Sequence, residues 1–137
     1  MDLRRITSDL SVAPQIDPDD IAALADTGFE AIIDNRPDAE VDAALNSARM
    51  AEHAAAQGLA FHYLPVIPGQ LTPETVRQFS AILDEASGPV LAYCRSGTRS
   101  ATVWALAQSG RRPADEILRL ADEAGYDMRP IRHMLQD

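Results

Sequence analysis

The sequence predicts an α/β fold: a mostly parallel sheet of four to five strands flanked by helices. Three observations carry this. Short apolar runs alternate with helical patterns through residue 107. Each helical pattern has its own start and stop signals. No repeat, linker or low-complexity tract interrupts the 137 residues, so 1–137 reads as a single domain. Such alternation builds a parallel sheet covered on both faces.

The elements follow in order. "LSVAPQ" is a short strand. "DPDDIAALADTG" is a helix with Asp17 as N-cap, Pro18 at its first position and Gly28 as its stop. "FEAIIDNR" is an apolar strand ending in polar residues, and "DAALNSARMAEHAAAQG" is a long helix closed by Gly58. "AFHYLPV" has the composition of a buried strand. "TPETVRQFSAILDEASG" is a capped helix, "PVLAYC" a strand, and "TRSATVWALAQSG" a helix ending at Gly110. That helix is apolar nearly all round, which places Trp104 in the core. Two further helices, "RPADEILRLADEAG" and "MRPIRHMLQD", complete the chain.

In such sheets ligands bind beyond the carboxyl ends of the strands. Cys94 sits at one of those ends, and "DNRPD" and "PVIPGQ" sit at two others. Asp34, Arg36 and Gln70 are therefore expected on the rim of one crevice. Arg36 serves equally well as a salt-bridge partner of Asp38 or Glu40 or as a substrate contact.

Composition excludes several functions. The net charge of −9 speaks against a nucleic-acid or anionic-membrane surface. All 12 basic residues are arginine, as GC-rich bacterial codon usage produces, so neither a Schiff-base lysine nor a Walker lysine exists. His53, His62 and His133 are scattered and Cys94 is the only cysteine, a poor set for a metal and insufficient for a disulfide. No cofactor is implied. His62, mid-strand, reads as a hydrogen-bonded core histidine. With neither signal peptide nor apolar span, the expected location is the cytoplasm.

The loop "YCRSGTRS" concentrates the chemistry. A thiolate is favoured at a helix N-terminus near arginines. Arg95 and Arg99 supply positive charge. Ser96, Gly97 and Thr98 are small enough for their N–H groups to turn inward as an anion nest. Gly97 suits an unusual dihedral angle. Arg99 can clamp an oxyanion, and Ser100 is expected to donate a hydrogen bond to the thiolate. A merely buried Cys94 would leave this set of neighbours without a purpose. The absence of a second cysteine argues against an arsenate reductase, and the intact loop against a vestigial interaction domain.

Two families resemble this loop. Rhodaneses, sulfurtransferases that carry sulfane sulfur as a cysteine persulfide, have the pattern Cys-Arg-x-Gly-x-Arg, matched here by Cys94, Arg95, Gly97 and Arg99. Cysteine phosphatases have His before the cysteine and five residues between Cys and Arg. Here Tyr93 precedes Cys94, and only Arg95 to Thr98 intervene. Their general acid, on the loop after the preceding strand, has no counterpart in "PVIPGQLT". Only Asp34 or Asp38, from the neighbouring loop, could reach in. The order of elements, however, resembles dual-specificity phosphatases. The whole chain is similar to the phosphatase-like domain family of beta-lactamase hydrolase-like proteins, through "VAPQI", "DNRPDAE", "PVIPGQ" and "YCRSGTRS". Many relatives have Asn where this chain has Asp34. Members of that family occur alone or fused to a persulfide dioxygenase.

The resemblance implies a dual-specificity-phosphatase-like architecture and an enzyme of persulfide metabolism. The expected activity is sulfur transfer through a Cys94 persulfide, with thiosulfate, glutathione persulfide or a polysulfide as donor and a persulfide dioxygenase as partner. Cys94 and Arg99 would be catalytic, and Arg95, Ser96, Gly97, Thr98 and Ser100 would bind substrate. The alternative is a phosphatase with a phospho-Cys94 intermediate.

Overall fold

The structure, a computed structural model, describes all 137 residues. Its strands are β1 (Arg4–Arg5), β2 (Leu10–Ala13), β3 (Ala31–Asp34), β4 (Ala60–Tyr63) and β5 (Val90–Tyr93). Its helices are α1 (Pro18–Asp26), α2 (Ser47–Ala56), α3 (Pro73–Glu85), α4 (Thr98–Ala107) and α5 (Ala114–Glu123). The sheet order is β1-β2-β5-β3-β4. Only the β1–β2 pair is antiparallel. The predicted α/β class and mostly parallel sheet are thus observed.

The three central strands, β2, β3 and β5, are buried along their whole length. Their side chains alternate between two cores, as the pleat requires. Val12, Ile33 and Ala92 pack with Phe79, Trp104 and Ile117 from α3, α4 and α5. Ile32, Leu91 and Tyr93 pack with Ile21, Leu24 and Met50 from α1 and α2. Trp104 is a core residue, as expected.

Several local expectations differ. The "AFHYLPV" run is an edge strand: Ala60 and Tyr63 are exposed, and His62 is half-buried at the sheet border rather than in the core. Composition alone does not distinguish an apolar edge strand from a central one. The long helix expected from Asp42 is broken. Residues Ala43–Leu45 form a 3₁₀ turn, and Asn46 then caps α2 by accepting the Arg49 N–H at 2.9 Å. An Asx cap competes with helix continuation, so the register restarts. The final segment is a 3₁₀ helix, Arg129–Met134. Strand β1 has only two residues and carried no strand signal. No helix is long and apolar enough to cross a membrane.

Candidate active site

The loop after β5 passes directly into α4. Gly97 is the N-cap of α4 and has φ +94°, a left-handed conformation that favours glycine. Its place is also sterically reserved. A Cβ there would run into the Tyr126 hydroxyl and stand 3.1 Å from Val12 Cγ1. The Tyr126 hydroxyl donates to the Ser96 carbonyl at 3.4 Å. Arg4 in turn lies 5.9 Å from the Tyr126 ring centroid and donates to the Ala124 carbonyl at 3.1 Å. Both ends of the chain therefore buttress the loop from behind.

Fixed in this way, the Gly97 N–H points at the Cys94 sulfur, 3.1 Å away. The nest is less uniform than expected. The Thr98 N–H turns to the Ser96 hydroxyl at 3.4 Å, and that hydroxyl donates to Thr98 Oγ1 at 3.2 Å. The N–H groups of Arg95, Ser96 and Arg99 have no protein partner. The Arg95 side chain is exposed, while its carbonyl accepts from the Gln15 N–H at 3.2 Å. Cys94 itself is fully buried.

Arg99 is clamped. Its Nη1 and Nη2 each donate to one oxygen of Glu40 at 2.8 Å, and Nη1 also donates to the Val66 carbonyl at 2.8 Å. A guanidinium has five N–H donors. The two left over, on Nε and Nη2, share one edge, so a planar pair of oxyanion oxygens can dock there. The hydrogen bond to Glu40, reinforced by the nearby Cys94 sulfur, holds Arg99 firmly protonated. The same hydrogen bond pushes the Glu40 carboxyl below its usual range, so Glu40 is ionised at neutral pH and is no proton donor.

The two other carboxylates expected near the loop, Asp38 and Asp34, are also engaged. Asp38 accepts both the N–H and the hydroxyl of Ser47 at 2.7 Å. Asp34 is not a rim residue. It is only 2% exposed, and its Oδ1 accepts the Arg36 N–H at 2.9 Å. Burial pushes its pKa up to about 6, against the opposing pull of that N–H. It shares the face of Tyr93, and strand alternation turns Cys94 away from that face. The Tyr93 hydroxyl is buried beside Asp34 without a hydrogen bond. Burial, then the Asp34 charge, pushes its pKa upward.

Arg36 also turns inward. It donates to Gln15 Oε1 at 3.1 Å and to the Glu40 carbonyl at 3.0 Å, and its Nε lies 3.5 Å from Glu40 Oε1. Its partner is thus Glu40, not Asp38. Gln70 is exposed on the loop between β4 and α3. Ser100 does not donate to the thiolate. Its hydroxyl proton goes to Asn35 Oδ1 at 2.8 Å, and Asn35 Nδ2 donates to the Leu64 carbonyl at 2.8 Å. This buried chain ties α4 to the ends of β3 and β4.

Three positions that matter here carried little signal. Glu40 was legible only as a partner for Arg36, because its distance from Arg99 along the chain hides their contact. Asn35 looked like an ordinary polar strand end. Nothing about Tyr126 points to the loop from sequence.

Comparisons agree with this architecture. Residues 2–111 match the family described as beta-lactamase hydrolase-like protein, phosphatase-like domain. A beta-lactamase hydrolase-like protein from Agrobacterium fabrum is 32% identical over 126 residues, covering 90% of this chain and 29% of that protein. The chain thus spans under a third of that relative's length. A solved structure from Neisseria meningitidis, described as a candidate phosphatase, is 32% identical with TM-score 0.84, covering 97% of this chain and 95% of that one. TpbA of P. aeruginosa shares the fold at TM-score 0.69 and 16% identity, covering 98% of this chain and 81% of that one. The architecture is that of cysteine phosphatases of the dual-specificity type. These matches favour the phosphoester alternative over the sulfur-transfer expectation.

Proposed function

We propose that this chain, which belongs to the phosphatase-like domain family of beta-lactamase hydrolase-like proteins, is a cysteine-dependent phosphoric monoester hydrolase. The observation that carries this is the free edge of Arg99, held by Glu40, next to a loop whose Gly97 N–H points at the Cys94 sulfur. Cys94 attacks phosphorus as a thiolate, an S–P bond forms, and the ester P–O bond breaks. Water then cleaves the thiophosphate, releasing phosphate and restoring the thiolate. The loop amides and Arg99 stabilise the equatorial oxygens. With Glu40 ionised and Asp38 held by Ser47, neither carboxylate is placed to protonate the leaving oxygen readily. Aryl phosphates, whose leaving groups need little protonation, are therefore the preferred esters.

Sulfur transfer is the second reading, favoured by that missing acid and by the short Cys94–Arg99 spacing. Thiosulfate would yield its outer sulfur to Cys94 and release sulfite with the bonding electron pair. No protonation is required. A thiol or cyanide would then take the sulfur. On this reading glutathione persulfide and polysulfide are further donors, and a persulfide dioxygenase is the expected partner.

One experiment separates the two. The protein and its Cys94→Ser variant are assayed with an aryl phosphate, and intact mass is recorded after thiosulfate. Cys94-dependent hydrolysis without a stable added sulfur is expected. A Cys94-dependent gain of one sulfur with no phosphate turnover would overturn the hydrolase reading in favour of the second.

A further inference from the structure

Tyr126 reaches the Cys94 loop because of how α5 ends. Gly125, at φ +96°, stops that helix. Its N–H donates to the Asp122 carbonyl at 2.8 Å, and the Tyr126 N–H donates to the Ala121 carbonyl at 2.9 Å. These are the two hydrogen bonds of a Schellman stop, which turns the chain and fixes the residue that follows. Arg4 secures the turn from the other side through the Ala124 carbonyl. The Tyr126 hydroxyl then ends against Gly97 and donates to the Ser96 carbonyl at 3.4 Å. Burial pushes the phenol pKa up, against the pull of the Arg4 charge, so the hydroxyl keeps the proton it donates.

The Ser96 carbonyl and the Gly97 N–H belong to one peptide group. The chain has no cis peptide bond, so the two point in opposite directions. With the oxygen held outward, the N–H faces inward, 3.1 Å from the Cys94 sulfur. The backbone on either side is pinned. The Arg95 carbonyl accepts the Gln15 N–H at 3.2 Å, and the Gly97 carbonyl accepts the Ala101 N–H at 2.9 Å. Between them, no group other than Tyr126 donates to the Ser96 carbonyl. Turning this peptide over takes Gly97 to a negative φ, which glycine enters as readily as a positive one. The turned peptide would present an oxygen to the sulfur, and to any bound oxyanion, where an N–H now stands.

We propose that Tyr126 is a positioning residue for the nucleophile loop: its hydroxyl keeps the Ser96–Gly97 peptide with the N–H turned inward, the orientation that accepts an anion. The inference rests on Cys94 and its loop receiving an anionic substrate, which both readings above require. It does not depend on which bond then breaks.

The test uses Tyr126→Phe, which keeps the ring and removes the donor. Ile117→Val, a core change on α5, is the control for lost stability. Two quantities are measured on each protein: hydrogen exchange of the Gly97 amide by NMR, and affinity for inorganic phosphate. One lost hydrogen bond shifts the balance between two orientations by about fivefold. The Gly97 amide of the Phe variant should therefore exchange about fivefold faster. Phosphate should bind about fivefold more weakly, since only the inward form takes the anion. Ile117→Val should lower Tm and change neither quantity. Unchanged exchange in Tyr126→Phe would overturn the proposal, and so would unchanged affinity for a phosphate that still binds. The same changes in Ile117→Val would also overturn it, because they would mark a general loosening. Phosphate that binds none of the proteins would count against the hydrolase reading, and the Gly97 exchange rate would still decide the role of Tyr126.

Discussion

Replacing Asp34 by Asn should stabilise the protein at pH 8 and do little at pH 4. Asp34 is a buried carboxyl with one firm hydrogen bond, from the Arg36 N–H at 2.9 Å. Burial raises its pKa from 3.8 to about 6. A carboxyl whose folded pKa exceeds its unfolded value binds its proton more tightly when folded. Its contribution is fully present below about pH 4 and is lost as pH rises through about 6. At 1.36 kcal/mol per pH unit, the loss approaches about 3 kcal/mol. Asn keeps the oxygen that accepts the Arg36 N–H and carries no charge to bury. Its amide also offers a donor to the unpaired Tyr93 hydroxyl. Urea unfolding of both proteins at pH 4, 6 and 8 measures the difference, since every other titrating group is common to both. The gain from Asn should grow from near zero to about 2–3 kcal/mol across that range. An equal difference at all three pH values, or a less stable Asn variant at pH 8, would refute the assignment of a buried, reluctantly ionised carboxylate.

Three other outcomes follow from the site. Gly97→Ala forces a side chain into a left-handed position against Tyr126 and should cost about 2–4 kcal/mol of stability, read by thermal melting, with Tyr126→Phe recovering only part of it. Glu40→Gln halves the clamp on Arg99 and should weaken oxyanion binding by about tenfold, seen as a raised KM in aryl phosphate kinetics with little change in Tm. Ser100→Ala strands the buried Asn35 Oδ1 and should cost about 1–3 kcal/mol in urea unfolding. A loss of activity at unchanged stability would instead mean that Ser100 acts on the sulfur.

Much of the scaffold was legible because its signals are local. The caps at Asp17 and Thr72, the glycine stops and the fully buried runs of β2, β3 and β5 each encode their own element. The start of α2 is not legible in the sequence, because Asn46 can lie mid-helix or cap one. The edge position of β4 is not legible in its composition, because it depends on which strand lies beside it, a fact of sheet order.

The sequence by itself determined the α/β class, the cysteine at a strand end and the short loop that leads into a helix, since these depend on residues adjacent in the chain. Only the tertiary structure decided what that loop touches. Glu40 reaches Arg99 because β3 lies beside β5, and Tyr126 reaches Gly97 because the C-terminal segment folds back under the loop. The same packing spends the Ser100 proton on Asn35 and buries Asp34 below the crevice it was expected to line. A side chain has one set of protons and one direction, and which neighbour claims them is settled only when distant segments pack together.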